Sequence, residues 1–166
     1  MSEGYILKQV EKSLPLKWYY DQSQFDLEVS KIWANDWFYV THESALNEPL
    51  SFVTVEVSKY NILLLKDRDG NINSYYNTCS HRGSVLQKDH SGKLKSNLLV
   101  CPYHQWSYNA SNGNLVRTTS INDPKDFDKE SNCLTKVNLK IWNGLIFINL
   151  NKKSEWDAES VFVDYS

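Results

Sequence analysis

Cysteine, histidine and long apolar runs are all scarce in this 166-residue chain, and each scarcity excludes something. There are three cysteines, an odd number, so no disulfide framework is expected and a reducing compartment fits. The longest apolar runs, residues 61–65 and 145–150, are far too short to cross a bilayer as helices, so no membrane is expected. Net charge is −2 with no basic block, which argues against nucleic acid as a partner. The opening residues mix acids with lysines and contain no apolar h-region, so no secretory signal is expected and the cytoplasm is the expected location. Aromatic residues, by contrast, are plentiful. Six Trp and ten Tyr supply enough apolar surface for the packed core of a single domain with a small appendage.

Read in order, the chain opens with a weakly periodic arm over residues 1–16, interrupted by Pro15 and followed by Trp18-Tyr19-Tyr20, which could anchor it. Residues 21–35 carry the strongest helix pattern. Phe25, Val29, Ile32 and Trp33 share one face, and Asp21 with Gln24 has the form of a capping box. The expectation is an amphipathic helix packed on a sheet. Short strands follow. Residues 37–41 and the alternating 52–57 are candidates, as is the apolar run 61–66, which turns at Asp69-Gly70 into a return strand over 72–77. Residues 89–95 read as a loop, 98–100 as a strand, and Asn112-Gly113 as a turn before a strand at 114–117. Residues 121–131 read as a loop with one helical turn. Asn143-Gly144 between two β-rich runs is the strongest hairpin signal. The prediction is a mainly β fold of seven to nine antiparallel strands behind one N-terminal helix. The expected division is an arm and helix over 1–36, a β domain over 37–150, and a tail or the start of another domain over 151–166.

Two Cys-His pairs concentrate the chemistry. One lies in Cys79-Ser80-His81-Arg82-Gly83, the other in Cys101-Pro102-Tyr103-His104-Gln105-Trp106, with nineteen residues between the pairs. Two thiolates and two imidazoles make a four-donor set for a metal centre: Cys79, His81, Cys101 and His104. Zinc accepts such donors, although structural zinc sites usually pair cysteines as C-x₂₋₄-C. Trp106 reads as a packing lid, Cys133 as a small core residue, and His42 and His90 as ordinary histidines. Arg82 and Gln105 either bond loop backbone or are solvated.

The unequal spacings C-x-H and C-x-x-H, with their flanks, resemble the Rieske oxygenase family, the catalytic α subunits of ring-hydroxylating dioxygenases and related monooxygenases. The resemblance extends from about Pro15 to Leu150. It includes Ile32-Trp33-Ala34-Asn35-Asp36-Trp37, Asp67-Arg68-Asp69-Gly70, Phe127-Asp128 and Gly144-Leu145-Ile146-Phe147-Ile148. It implies a Rieske iron–sulfur fold of small stacked antiparallel sheets with two cluster-binding loops. It also implies a [2Fe–2S] cluster with Cys79 and Cys101 on one iron and His81 and His104 on the other. Replacing two thiolates by neutral imidazoles leaves the oxidised centre uncharged, so adding an electron is easier and the potential lies at roughly −150 to +300 mV. Most ring hydroxylases have Gly where this chain has Gln105. In this it resembles the branch acting on quaternary ammonium compounds, such as glycine betaine and choline monooxygenase-like proteins. Ser84 and Tyr103 stand where respiratory Rieske proteins carry extra cysteines, so that branch is disfavoured.

No histidine follows His104, so the mononuclear iron site of the family, two His and a carboxylate, cannot be built here. That iron is expected only in a catalytic domain absent from these residues. The implied partners are a reductase or ferredoxin donor, and a catalytic domain or neighbouring α subunit of a trimer. The alternative reading is a free-standing Rieske ferredoxin. Such carriers are shorter and lack the helix over 21–35, which favours the oxygenase reading; the missing catalytic half favours the carrier.

Overall fold

The computed structural model describes residues 12–120 and 124–153, so the first eleven residues of the arm and the tail beyond 153 lie outside the described residues. Among the described residues ten strands form rather than seven to nine, in three antiparallel sheets. They are β1 (Phe38–His42), β2 (Ser51–Val57), β3 (Tyr60–Lys66), β4 (Ile72–Tyr76), β5 (Ser91–Lys93), β6 (Leu98–Val100), β7 (Ser107–Asn109), β8 (Leu115–Arg117), β9 (Asn138–Trp142) and β10 (Leu145–Asn149). The sheet orders are β4-β3-β2-β5, β6-β7-β8 and β1-β10-β9.

The four-stranded sheet is the wall between two cores. Successive strand residues point to opposite faces. On β3, Leu63 and Leu65 join a core shared with Leu99, Tyr108 and Leu115 of the β6-β7-β8 sheet. Ile62 and Leu64 join a second core with Ile146 and Ile148 of β10. All four of these β3 residues are fully buried. This accounts for the unbroken apolar run in the sequence: a strand buried on both faces has no polar side to show. β2 obeys the same alternation, with Phe52 in the first core and Val53 and Val57 in the second.

Residues 89–95 are not simply a loop. They contain edge strand β5, paired with β2 through Ser51↔Lys93, Phe52↔Gly92 and Val53↔Ser91. The sequence hid it because its residues are exposed and its centre is Gly92. That glycine is needed for packing: a Cβ there would lie 2.8 Å from Cζ of Phe52. The hairpin at Asn143-Gly144 forms as expected, with φ of 47° and 81°, both left-handed as a type I′ turn requires.

The N-terminal helix departs from expectation. It is α-helical only over α1 (Gln22–Glu28) and continues as a π turn over Val29–Trp33, closed by Ala34 N–H donating to the Val29 carbonyl at 2.9 Å. No capping box forms. Asp21 accepts from Ser23 N and Ser23 Oγ, while Gln24 turns outward to Glu28. Of the predicted apolar face only Val29 is buried; Phe25 and Ile32 remain 44% and 46% exposed. The helix therefore does not bury its stripe on a sheet within the described residues. The Trp18-Tyr19-Tyr20 anchor does not form either, because all three side chains are exposed. The predicted helical turn within 121–131 is a 3₁₀ turn at Glu130–Asn132, with 121–123 outside the described residues.

Candidate metal centre

Each predicted donor pair sits on its own loop, and the two loops share one backbone design. In the first, Gly83 N–H donates to the Cys79 carbonyl at 2.9 Å and Cys79 N–H donates to the Ser84 carbonyl at 2.8 Å. In the second, Gln105 N–H donates to the Cys101 carbonyl at 2.9 Å and Cys101 N–H donates to the Trp106 carbonyl at 2.8 Å. Both rings close through a left-handed residue four places after the cysteine, Gly83 at φ 71° and Gln105 at φ 56°. A side chain at such a φ is strained, which gives a backbone reason for glycine at this point and makes Gln105 unusual. The first loop hangs between β4 and β5 and is pinned by the Thr78↔Val85 bridge. Asn77, 1% exposed, secures its return: its amide donates to the Asn61 side chain and the Gln87 carbonyl and accepts from Gln87 N–H. The second loop is the connection between paired strands β6 and β7.

The geometry sorts the donors by type. Cys79 and Cys101 are both 1% exposed and belong to the first core. Each thiol influences the ionisation of the other. Burial pushes the Cys79 thiol up. Burial opposes ionisation at Cys101 too, but the backbone N–H groups of His104 and Tyr103 aimed at its sulfur hold that thiol below the ordinary cysteine value. His81 and His104 are half-buried, with their Nδ1 atoms 3.2 Å apart. Two nitrogens bound to one tetrahedral metal at about 2.1 Å would stand about 3.4 Å apart, so this pair could share a single ion. Burial, then the charges of His104 and Arg82, lower the His81 pKa, which favours the neutral imidazole a metal requires. Among the described residues, no three His, Cys, Asp or Glu side chains converge on one ion position. The set is one thiol pair and one imidazole pair, which suits two metal ions bridged to each other.

The surroundings support both pairs. Trp106, 7% exposed, stacks on the His81 ring at 4.5 Å and 12° and meets Phe127 edge-on at 5.8 Å. The lid reading of this tryptophan therefore gains a specific partner. The Tyr108 hydroxyl, unread in the sequence, lies 3.1 Å from Cys79 Sγ and 2.9 Å from Ser80 Oγ, and burial pushes its pKa well up, so it stays a phenol. Its only sequence signal is its position two residues beyond Trp106. Arg82 and Gln105 are exposed. His42 is a satisfied surface histidine whose Nδ1 accepts from Ser44 N–H, and His90 is exposed. Cys133 is half-buried beside Asn114 and the Lys129 carbonyl, so it is not the core residue expected. No described helix is long and apolar enough to cross a membrane.

Comparison with known proteins gives concordant results. The Rieske [2Fe-2S] domain family model matches residues 36–134. The carnitine monooxygenase oxygenase subunit of Escherichia coli (strain K12) is 34% identical over 139 residues, covering 84% of this chain and 36% of the relative. The glycine betaine monooxygenase oxygenase subunit of Pseudomonas aeruginosa (strain UCBPP-PA14) is 32% identical over 138 residues, covering 83% of this chain and 31% of the relative. A solved quaternary ammonium Rieske monooxygenase, described in terms of carnitine oxidation and inter-subunit electron transfer, superposes with a TM-score of 0.79 at 30% identity, covering 87% of this chain and 38% of that one. The chain thus spans about a third of the length of the curated relatives it matches.

Proposed function

The chain belongs to the Rieske [2Fe-2S] domain family, and from that premise we propose that it is the one-electron relay of an oxygenase subunit, with Cys79 and Cys101 holding one iron and His81 and His104 the other. The observation that carries the ligand assignment is the sorting of donors, with two thiols buried in one core and two half-buried imidazole nitrogens 3.2 Å apart. A single tetrahedral zinc would need all four donors around one ion, and the pairwise arrangement does not favour it. When bound, the cluster supplies reversible one-electron chemistry at a potential raised by its neutral imidazoles. The protein's part is to bury the thiolates, fix the His81 ring against Trp106 and the His104 ring against Tyr103, and leave the histidine side nearer to solvent, where an electron partner can approach.

In this reading residues 37–150 form the electron-transfer domain, because β10 closes the sheet begun by β1. The arm and helix over 1–36 precede it, and 151–166 lead away from it. Electrons come one at a time from a reductase or ferredoxin. They pass to a mononuclear iron held by residues outside this chain, in a neighbouring subunit of a trimer. The relatives' oxygenase subunits support this over a free-standing carrier. Gln105 and those same relatives favour a quaternary ammonium substrate, and reduced thiols fit the cytoplasm. The test is metal and sulfide analysis with EPR of the dithionite-reduced protein. Two irons and two acid-labile sulfides per chain with a low average g value support the cluster; one zinc and a silent spectrum overturn it.

A further inference from the structure

We propose that Ser80 lowers the potential of the cluster by competing with the Cys79 sulfur for the single proton of Tyr108. This rests on the reading that Cys79 is a cluster thiolate. Tyr108 is fully buried, so no solvent donor replaces its hydroxyl. That hydroxyl has two neighbours within reach, Cys79 Sγ at 3.1 Å and Ser80 Oγ at 2.9 Å. A thiolate bound to iron carries no proton and can only accept. Whether Ser80 donates or accepts is decided by its other contact, the backbone carbonyl of Asn132 at 2.6 Å. A carbonyl only accepts, so the serine commits its one proton there and turns a lone pair toward Tyr108. One tyrosine proton then serves two acceptors.

The Asn132 carbonyl is held in place independently of the cluster. Asn132 Nδ2 donates to the Asp128 carbonyl at 2.7 Å, and the Asp128 carboxylate accepts from Glu130 N–H at 2.9 Å and from the Ser131 hydroxyl. This small turn fixes where the serine proton points. The sign of the effect follows from charge. Reduction adds an electron to the cluster, and a hydrogen bond to a ligand sulfur stabilises the more negative state and raises the potential. Every share of the Tyr108 proton that Ser80 takes is withdrawn from the sulfur. Ser80 is therefore a positioning residue that acts through Tyr108, and the turn over residues 128–132 acts through Ser80.

The test is a redox titration of the cluster-loaded 166-residue chain, followed by EPR or circular dichroism. Ser80→Ala is expected to raise the reduction equilibrium constant roughly tenfold, ~59 mV for one electron. Tyr108→Phe is expected to lower it. The double variant should match Tyr108→Phe alone, because among the described residues the Ser80 hydroxyl meets Tyr108 and the Asn132 carbonyl and reaches the sulfur through Tyr108, and Ser80→Thr should restore the starting value. If Ser80→Ala does not retain the cluster, Asp128→Ala provides the second measurement. By loosening the turn it frees the serine proton to point at Tyr108, and the potential should again rise. A fall or no change in the potential of Ser80→Ala or Asp128→Ala overturns the proposal, as does a double variant that differs from Tyr108→Phe. An unmutated protein that shows no [2Fe–2S] signal overturns the ligand assignment beneath it.

Discussion

The two ligand loops have the same backbone and different side chains, which separates what the cage requires from what the metal requires. Each closes the same pair of hydrogen bonds around its cysteine, and each turns on a left-handed residue four positions later. Within that shared frame the histidine falls two places after Cys79 but three after Cys101. The hinge residue is glycine in one loop and glutamine in the other. The sulfurs are served differently as well: Cys79 has the Tyr108 hydroxyl and the His81 N–H, while Cys101 has the His104 and Tyr103 N–H groups and the Ser84 hydroxyl. The frame holds a cysteine; the histidine position and the sulfur's donors are adjusted separately in each loop.

The largest test of that equivalence removes a sulfur. Cys79→Ala and Cys101→Ala are each expected to abolish the cluster, bringing iron content and visible absorbance to background, because each cysteine is proposed as one of two thiolate ligands. Retention of the cluster by either variant would show that the loops are not equal partners. Next in size are His81→Cys and His104→Cys. Each adds one negative charge, so cyclic voltammetry should show the potential fall by on the order of 100 mV; an unchanged wave in either variant would remove that histidine from the ligand set.

A smaller contrast lies in the hinges. Gly83→Val forces a branched side chain into the left-handed region and should cost about 1–2 kcal/mol or more in denaturant unfolding. Gln105→Gly removes an existing strain and should leave stability level or raise it by under about 1 kcal/mol. Equal responses would deny that the two positions do the same work.

The smallest effect concerns the supports. Asp67, 2% exposed, heads the turn between β3 and β4 and accepts from Asp69 N–H, Asn71 N–H and Asn73 Nδ2. Burial raises its pKa, but these bonds and one from Ser111 outweigh it and leave the carboxyl below the ordinary aspartate value of 3.8. A depressed folded value means that the contribution is complete above about pH 4 and lost as pH falls below 3.8 toward the folded pKa. Asp67→Asn should therefore flatten the acid limb of stability in thermal melts at pH 2.5–5, a window on either side of that value. An unaltered acid limb would exclude Asp67 as its source.

The sequence carried most of the strands and all four proposed donors, because both signals are local. A C-x-H pair needs only its own loop, and an alternating run needs only its neighbours. What stayed hidden depends on distance or on atoms common to every residue. Strand β5 reads as a loop because its evidence is the ring of Phe52, some forty residues earlier, against which Gly92 packs. The contact of Ser80 with Asn132 spans 52 positions and ends on a carbonyl, which any residue supplies. The helix misleads for a different reason. Phe25, Val29 and Ile32 form a legitimate apolar stripe, but within the described residues only Val29 is covered. Periodicity tells which face is apolar, not whether a cover is present.

Asn35 ends the helical segment and also meets the far end of the β domain. Its carbonyl accepts from Asn149 Nδ2 at 2.7 Å, and its side-chain oxygen accepts from Asn151 Nδ2 at 3.1 Å. Chain entering the strands and chain leaving them are thus buttoned together at one corner. Such a module can be grafted between two adjacent points of another scaffold without rerouting a strand.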